Sequence, residues 1–158
     1  MPVSQYLLAL LAVFLSQSAN AGGLEALNQA GRQIAESPCP KPKISTKVQK
    51  SIHDEAVTDR YITQRCSKAG SEVVRSSVSE FRRAFPLFAS VSRPDSRVPS
   101  AFQVGTQIAS IKARLGAPEV VKADSITYLL PSETLEERVT FLHDGSRVVG
   151  IQWSWYFD

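Results

Sequence analysis

The sequence predicts an α+β fold, with helices packed on one face of a small three-stranded antiparallel sheet after an N-terminal helical region. Three observations carry that expectation. Between residues 22 and 89, apolar side chains recur at helical spacing in several segments. From residue 125 onward, apolar and polar residues alternate, and Asp144-Gly145 supplies a two-residue hairpin signal. Between these regions, Ser90 to Ser100 (SVSRPDSRVPS) shows no periodicity and is rich in Ser, Pro and charge, which reads as a linker. The expected organisation is a signal peptide at 1–21, a helical region at 22–89, a linker at 90–101 and an α+β domain at 102–158.

The chain opens with an uncharged apolar run from Tyr6 to Leu15, YLLALLAVFL. Ala19-Asn20-Ala21 follows as a small-x-small end, the anatomy of a secretory signal cut between Ala21 and Gly22. The run is well short of the roughly 20 residues that span a bilayer. Removal leaves 137 residues, enough for one ordinary domain with a real core. The expected location is periplasmic or secreted.

Charge is uneven along the chain. Gly22 to Ala101 holds 13 Lys and Arg against 8 Asp and Glu, a net of +5, whereas Phe102 to Asp158 nets −2. That is too mild, and too poor in interleaved aromatics, for a nucleic-acid face. No partner nucleic acid and no integral membrane span are expected.

Cys39 and Cys66 are the two cysteines. An oxidising compartment favours their pairing into a disulfide. Closing a loop of about 28 residues stabilises by roughly 3.5 kcal/mol on the loop-entropy model. The rival role for Cys66, in Arg-Cys-Ser-Lys, is a thiol activated by nearby cations. Neither cysteine follows the signal, so no lipid anchor is expected.

Each element has a local reason. Leu24, Leu27, Ala30 and Ile34 predict a helix over 22–36, which Pro38, Pro40 and Pro42 end. A second helix is expected from Ser45 or Thr46 toward Cys66, with Val48, Ile52, Ala56 and Ile62 inward. A third starts at Ser71 and carries Val74, Val78, Phe81 and Phe85 to the stop at Pro86, with Arg82 and Arg83 toward solvent. Thr106 caps a fourth, Gln107 to Leu115, which Gly116 closes. Strands are expected over Ser125–Leu130, Arg138–His143 and Arg147–Phe157. In the last, Val149, Ile151, Trp153, Trp155 and Phe157 share one face.

The C-terminal segment also resembles a family. Val104-Gly105-Thr106, Leu115-Gly116-Ala117-Pro118, Tyr128, Val139-Thr140-Phe141 and Asp144-Gly145 followed by Val149 and Ile151 are similar to the SmpA/OmlA (BamE-like) domain. The likeness covers residues 103–157, and the β-lactamase-inhibitor fold is similar in layout. It implies a protein-binding module with no chemistry of its own, a possible accessory of outer-membrane or envelope assembly. The alternative is an inhibitor or immunity protein that blocks one enzyme.

No catalytic or metal motif competes strongly. His53-Asp54-Glu55 would point about 100° apart on a helix, unsuited to one metal. His143-Asp144 sits at the hairpin. Glu133, Glu136 and Glu137 cluster in a turn, where solvated carboxylates are the simpler reading. No Gly-x-Ser-x-Gly and no phosphate-binding glycine loop occurs. Neither a cofactor nor enzyme activity is expected. The candidate docking surface is Trp155, Tyr156 and Phe157 at the end of the last strand, since aromatics anchor interfaces. The same row also suits a core.

Overall fold

The computed structural model describes residues 22–50, 58–78, 84–132 and 136–155. The expected three-stranded sheet is overturned. The chain builds an eight-stranded sheet of antiparallel pairs in the order β1-β2-β3-β4-β8-β7-β6-β5. Its strands are β1 (Lys43–Lys50), β2 (Thr58–Cys66), β3 (Ser71–Val78), β4 (Phe85–Val91), β5 (Val120–Val121), β6 (Ser125–Leu129), β7 (Glu137–His143) and β8 (Val148–Trp155). Helix α1 covers residues 22–36 and α2 covers Ile108–Leu115, with a short 3-10 turn at Ser100–Phe102 between them.

The N-terminal helical region is corrected to one helix followed by four strands. Ile44, Thr46 and Val48 alternate along β1, and Val73 and Val74 sit mid-strand in β3. β-Branched side chains lose rotamer freedom against a preceding helical turn but fit a pleated surface. Period-two spacing and β-branching therefore prevail over the sparse helical spacing of Val48, Ile62, Val74 and Phe85. Gly70 closes the β2–β3 turn with φ 67° and donates its N–H to Cys66 O at 2.8 Å.

The two described helices form for the reasons the sequence offers. Leu27, Ala30 and Ile34 lie on the inner side of α1 and are fully buried. Each large one contributes roughly 1.5–3 kcal/mol of burial. Ile111 and Leu115 do the same for α2. Gly116, at φ 80°, ends α2 by donating its N–H to Lys112 O at 2.9 Å. The Tyr128 hydroxyl then donates to Gly116 O at 3.1 Å, tying the end of α2 to β6.

One core joins these pieces. Ala89, Tyr128, Val139, Phe141, Ile151 and Trp153 of the sheet pack with the apolar sides of both helices. Arg75 of β3 fastens the far end of α1: it donates to the carbonyls of Ala35 and Glu36 and, at 2.6 Å, to Gln64 Oε1. A cation on the last carbonyls of a helix also suits its dipole. The Cys39–Cys66 disulfide links the segment after α1 to the end of β2, with Cα atoms 6.1 Å apart.

Residues 92–99 are held from inside. Asp95 accepts from the Arg97 side chain at 2.6 Å and 2.8 Å, and Arg97 reaches Ser37 O at 2.5 Å. The hydrogen bond from Arg97 holds the Asp95 carboxyl below its usual range against the opposing effect of burial. Val98, beside this knot, is 1% exposed.

Candidate functional site

The helices and the core lie on one side of the sheet. The cross-strand row Gln64–Val73–Ala89–Trp153–Val139–Tyr128 faces them. The residues between point the other way. One outward row is Arg65–Glu72–Ser90–Gln152–Thr140–Thr127, and its neighbour is Thr63–Val74–Phe88–Ser154–Arg138–Leu129. Among the described residues, no helix or strand lies over these rows.

This outer face mixes three kinds of group. Small hydroxyls dominate the centre, and Thr127 and Thr140 hydrogen-bond each other at 2.9 Å. Charge sits toward the flanks, in the Arg65–Glu72 pair at 2.5 Å and the Arg138–Glu136 pair at 2.6 Å. The hydrogen bond that Arg65 donates to Glu72 raises the already high affinity of Arg65 for its proton. Apolar surface is also present: Leu129 is 41% and Val149 47% exposed.

Val149 is exposed because β8 bulges there. Leu142 pairs with Gly150 and His143 with Val148, so Val149 is skipped. An extra residue reverses the side-chain alternation. Val148 turns into the core at 1% exposure, and the expected inward position of Val149 is corrected. Beside the bulge, Gly150 leaves a shallow hollow bordered by Leu142, Val149, Gln152, Ser90 and Arg65.

The residues singled out by sequence fall in several places. Cys39 and Cys66 are bonded to each other, so neither is a thiol. Gly22 is the first described residue of α1, while Ala21 lies outside the described residues. Trp155 is a core residue at 2% exposure, and its indole N–H has no hydrogen-bond acceptor among the described residues. Tyr156 and Phe157 lie outside the described residues, as do His53-Asp54-Glu55 and Glu133.

The other polar clusters resolve into structural contacts. Asp144 accepts from the backbone N–H groups of Arg147 at 2.8 Å and Ser146 at 2.9 Å, and these bonds lower its pKa. His143 Nδ1 accepts from the Gly145 N–H at 3.1 Å. The glutamates part: Glu136 faces solvent with Arg138, and buried Glu137 pairs with Arg32 of α1 at 2.6 Å. Among the described residues no three His, Cys, Asp or Glu side chains converge as metal ligands. No described helix is long and apolar enough to cross a membrane.

The outer face was missed from sequence because its rows cross six strands, β2, β3, β4, β8, β7 and β6, and β2 and β3 lie where helices were expected. The signal was present in the alternation of Ile44, Thr46 and Val48 with lysines. Comparison with protein-family models, curated proteins and solved structures finds no match.

Proposed function

We propose that this chain is an exported protein-binding module that docks another protein on the outer face of its sheet. One observation carries the reading: among the described residues, the helices pack against one side of the sheet and none lies over the other. The other side keeps partly exposed apolar residues among hydroxyls and a few charges. That mixture is what a non-obligate interface offers, since such surfaces are about as apolar as the rest of the exterior. A hydroxyl- and amide-rich face also supplies hydrogen bonds without stranding buried charge.

Three further features support the cellular setting. The apolar run Tyr6–Leu15 with its small-x-small end suits export. The disulfide suits an oxidising compartment such as the periplasm. The likeness of residues 103–157 to the SmpA/OmlA family supports a role in envelope assembly.

The reading is tested by using the oxidised chain as bait in extracts of the cell envelope and the medium. Thr140→Arg and Gln152→Arg place bulk and charge on the outer face, and Gln29→Arg does so on the solvent side of α1. Stoichiometric capture that is lost with the first two and kept with the third is expected. Capture lost only with Gln29→Arg would contradict it. The identity of the captured protein separates an assembly accessory (barrels and their factors) from an inhibitor (a single hydrolase or toxin).

A further inference from the structure

The sheet ends, on its N-terminal side, in β1. This strand pairs with β2 along its whole length and has no neighbour on its other edge among the described residues. A terminal strand presents a row of unpaired backbone N–H and C=O groups, to which another extended chain can add. Seven of the eight residues of β1 are exposed. Ile44 is 60% and Val48 56% exposed.

The side chains of β1 are sorted by face. Through the register Ile44–Gln64–Val73, Ile44 and Val48 stand on the helix side. Through Lys43–Arg65–Glu72, Lys43 and Lys47 stand on the outer face. Neither lysine makes an ion pair among the described residues. The neighbouring Arg65 uses its charge on Glu72. The edge thus carries Lys43 and Lys47 on its outer side and Ile44 and Val48, with Lys50 at the end of the strand, on the other, and it has no acidic residue anywhere in β1.

Lysines on a terminal strand commonly serve to prevent sheets from joining edge to edge. That role applies here to self-association: a second copy of β1 would set Lys43 and Lys47 against the same lysines. Like charges opposite each other destabilise a pair of strands, and opposite charges stabilise it. The same residues therefore reject a second copy and favour an acidic strand. We propose that β1 is a docking edge for an extended acidic segment of a partner protein, one that alternates carboxylates against Lys43 and Lys47 with apolar residues against Ile44 and Val48. The inference deepens the protein-binding reading above and rests on it.

The probe is a fluorescent peptide alternating glutamate and valine over the length of β1, with a lysine–valine peptide as control. It is titrated into the oxidised chain and followed by anisotropy, and amide exchange is read residue by residue. The acidic peptide should bind and the basic one should not. The Lys43→Glu, Lys47→Glu double variant should weaken the acidic peptide by about tenfold or more and admit the basic one. Exchange should slow in β1, because an added strand uses its free amides. Binding that ignores the charge reversal, or protection away from β1, would overturn the proposal, as would no binding. The two readings fail separately. If envelope capture still depends on Thr140 and Gln152 while the acidic peptide does not bind, the edge proposal falls and the face reading stands. If the peptide binds and protects β1 while capture ignores the outer-face variants, the face reading falls and the edge stands.

Discussion

The indole N–H of Trp153 donates to the main-chain carbonyl of Leu27 at 2.9 Å, joining β8 to α1 across 126 residues of sequence. The contact is close because α1 has a glycine at the crossing point. A Cβ added at Gly31 would lie 2.4 Å from Trp153 Cδ1. Trp153 itself is fully buried and cannot retreat without breaking that hydrogen bond.

Gly31→Ala should therefore destabilise the fold by about 1–3 kcal/mol, the usual cost of overpacking a core. Gly22→Ala, where an added Cβ meets nothing within 4 Å, should be close to neutral. Thermal unfolding of the two variants checks this. Equal melting temperatures would mean that α1 does not press on Trp153.

Reducing the disulfide, or replacing Cys39 and Cys66 with serine, should lower stability by roughly 3.5 kcal/mol on the loop-entropy model. The bond ties a Pro-rich segment to the end of β2, where Ser71 Oγ also donates to Pro38 O at 3.1 Å. Denaturant unfolding with and without reductant reads the difference. Cys66 is 4% exposed, so reduction of the native state should be slow.

Glu137 is a buried carboxylate whose charge is met by the half-exposed Arg32. Arg32→Ala strands that charge and should cost about 1–3 kcal/mol. Adding Glu137→Gln should recover part of the loss, since a neutral amide is cheaper to leave half-satisfied. Measuring the two single variants and the double gives the coupling. Additive effects would show that the pair is not coupled.

Burial pushes the Tyr128 hydroxyl up to about 12. A group that holds its proton more tightly when folded contributes stability that is complete below its unfolded pKa, near 10. That contribution is lost as pH rises from there through about 12. Stability should fall over this alkaline window. Tyr128→Phe should remove that portion of the fall while losing the bond to Gly116 O. Denaturant melts at stepped pH test it, and an unchanged alkaline slope in the variant would contradict the burial of the hydroxyl.

How much of this was legible in sequence follows from what each segment needed. Residues 102–155 are held by local signals: Gly116 after Leu115, Asp144-Gly145 between alternating runs. The helix Ile108–Leu115 and strands β6, β7 and β8 each begin within a residue of expectation, whereas β5 was not expected. Among the described residues, the strands at 43–50, 58–66 and 71–78 are punctuated only by Gly70, and sparse apolar residues fit a helical stripe as well as a strand face. What decides them is non-local. β3 is fixed by β4, and β4 by Ala89 lying against Trp153 of β8. The outer face inherits that dependence, because every row on it crosses strands distant in sequence. The buried place of Trp155 likewise depends on α1 and β7 beside it, which its own aromatic row does not reveal.

The most direct measurement is photo-crosslinking in the envelope, with a photoreactive phenylalanine at Thr140 or Gln152 on the outer face, or at Gln33 on the solvent side of α1. A single partner crosslinked from Thr140 and Gln152 and not from Gln33 is the predicted result. Crosslinks from Gln33 alone would contradict the account and place the partner on the helices.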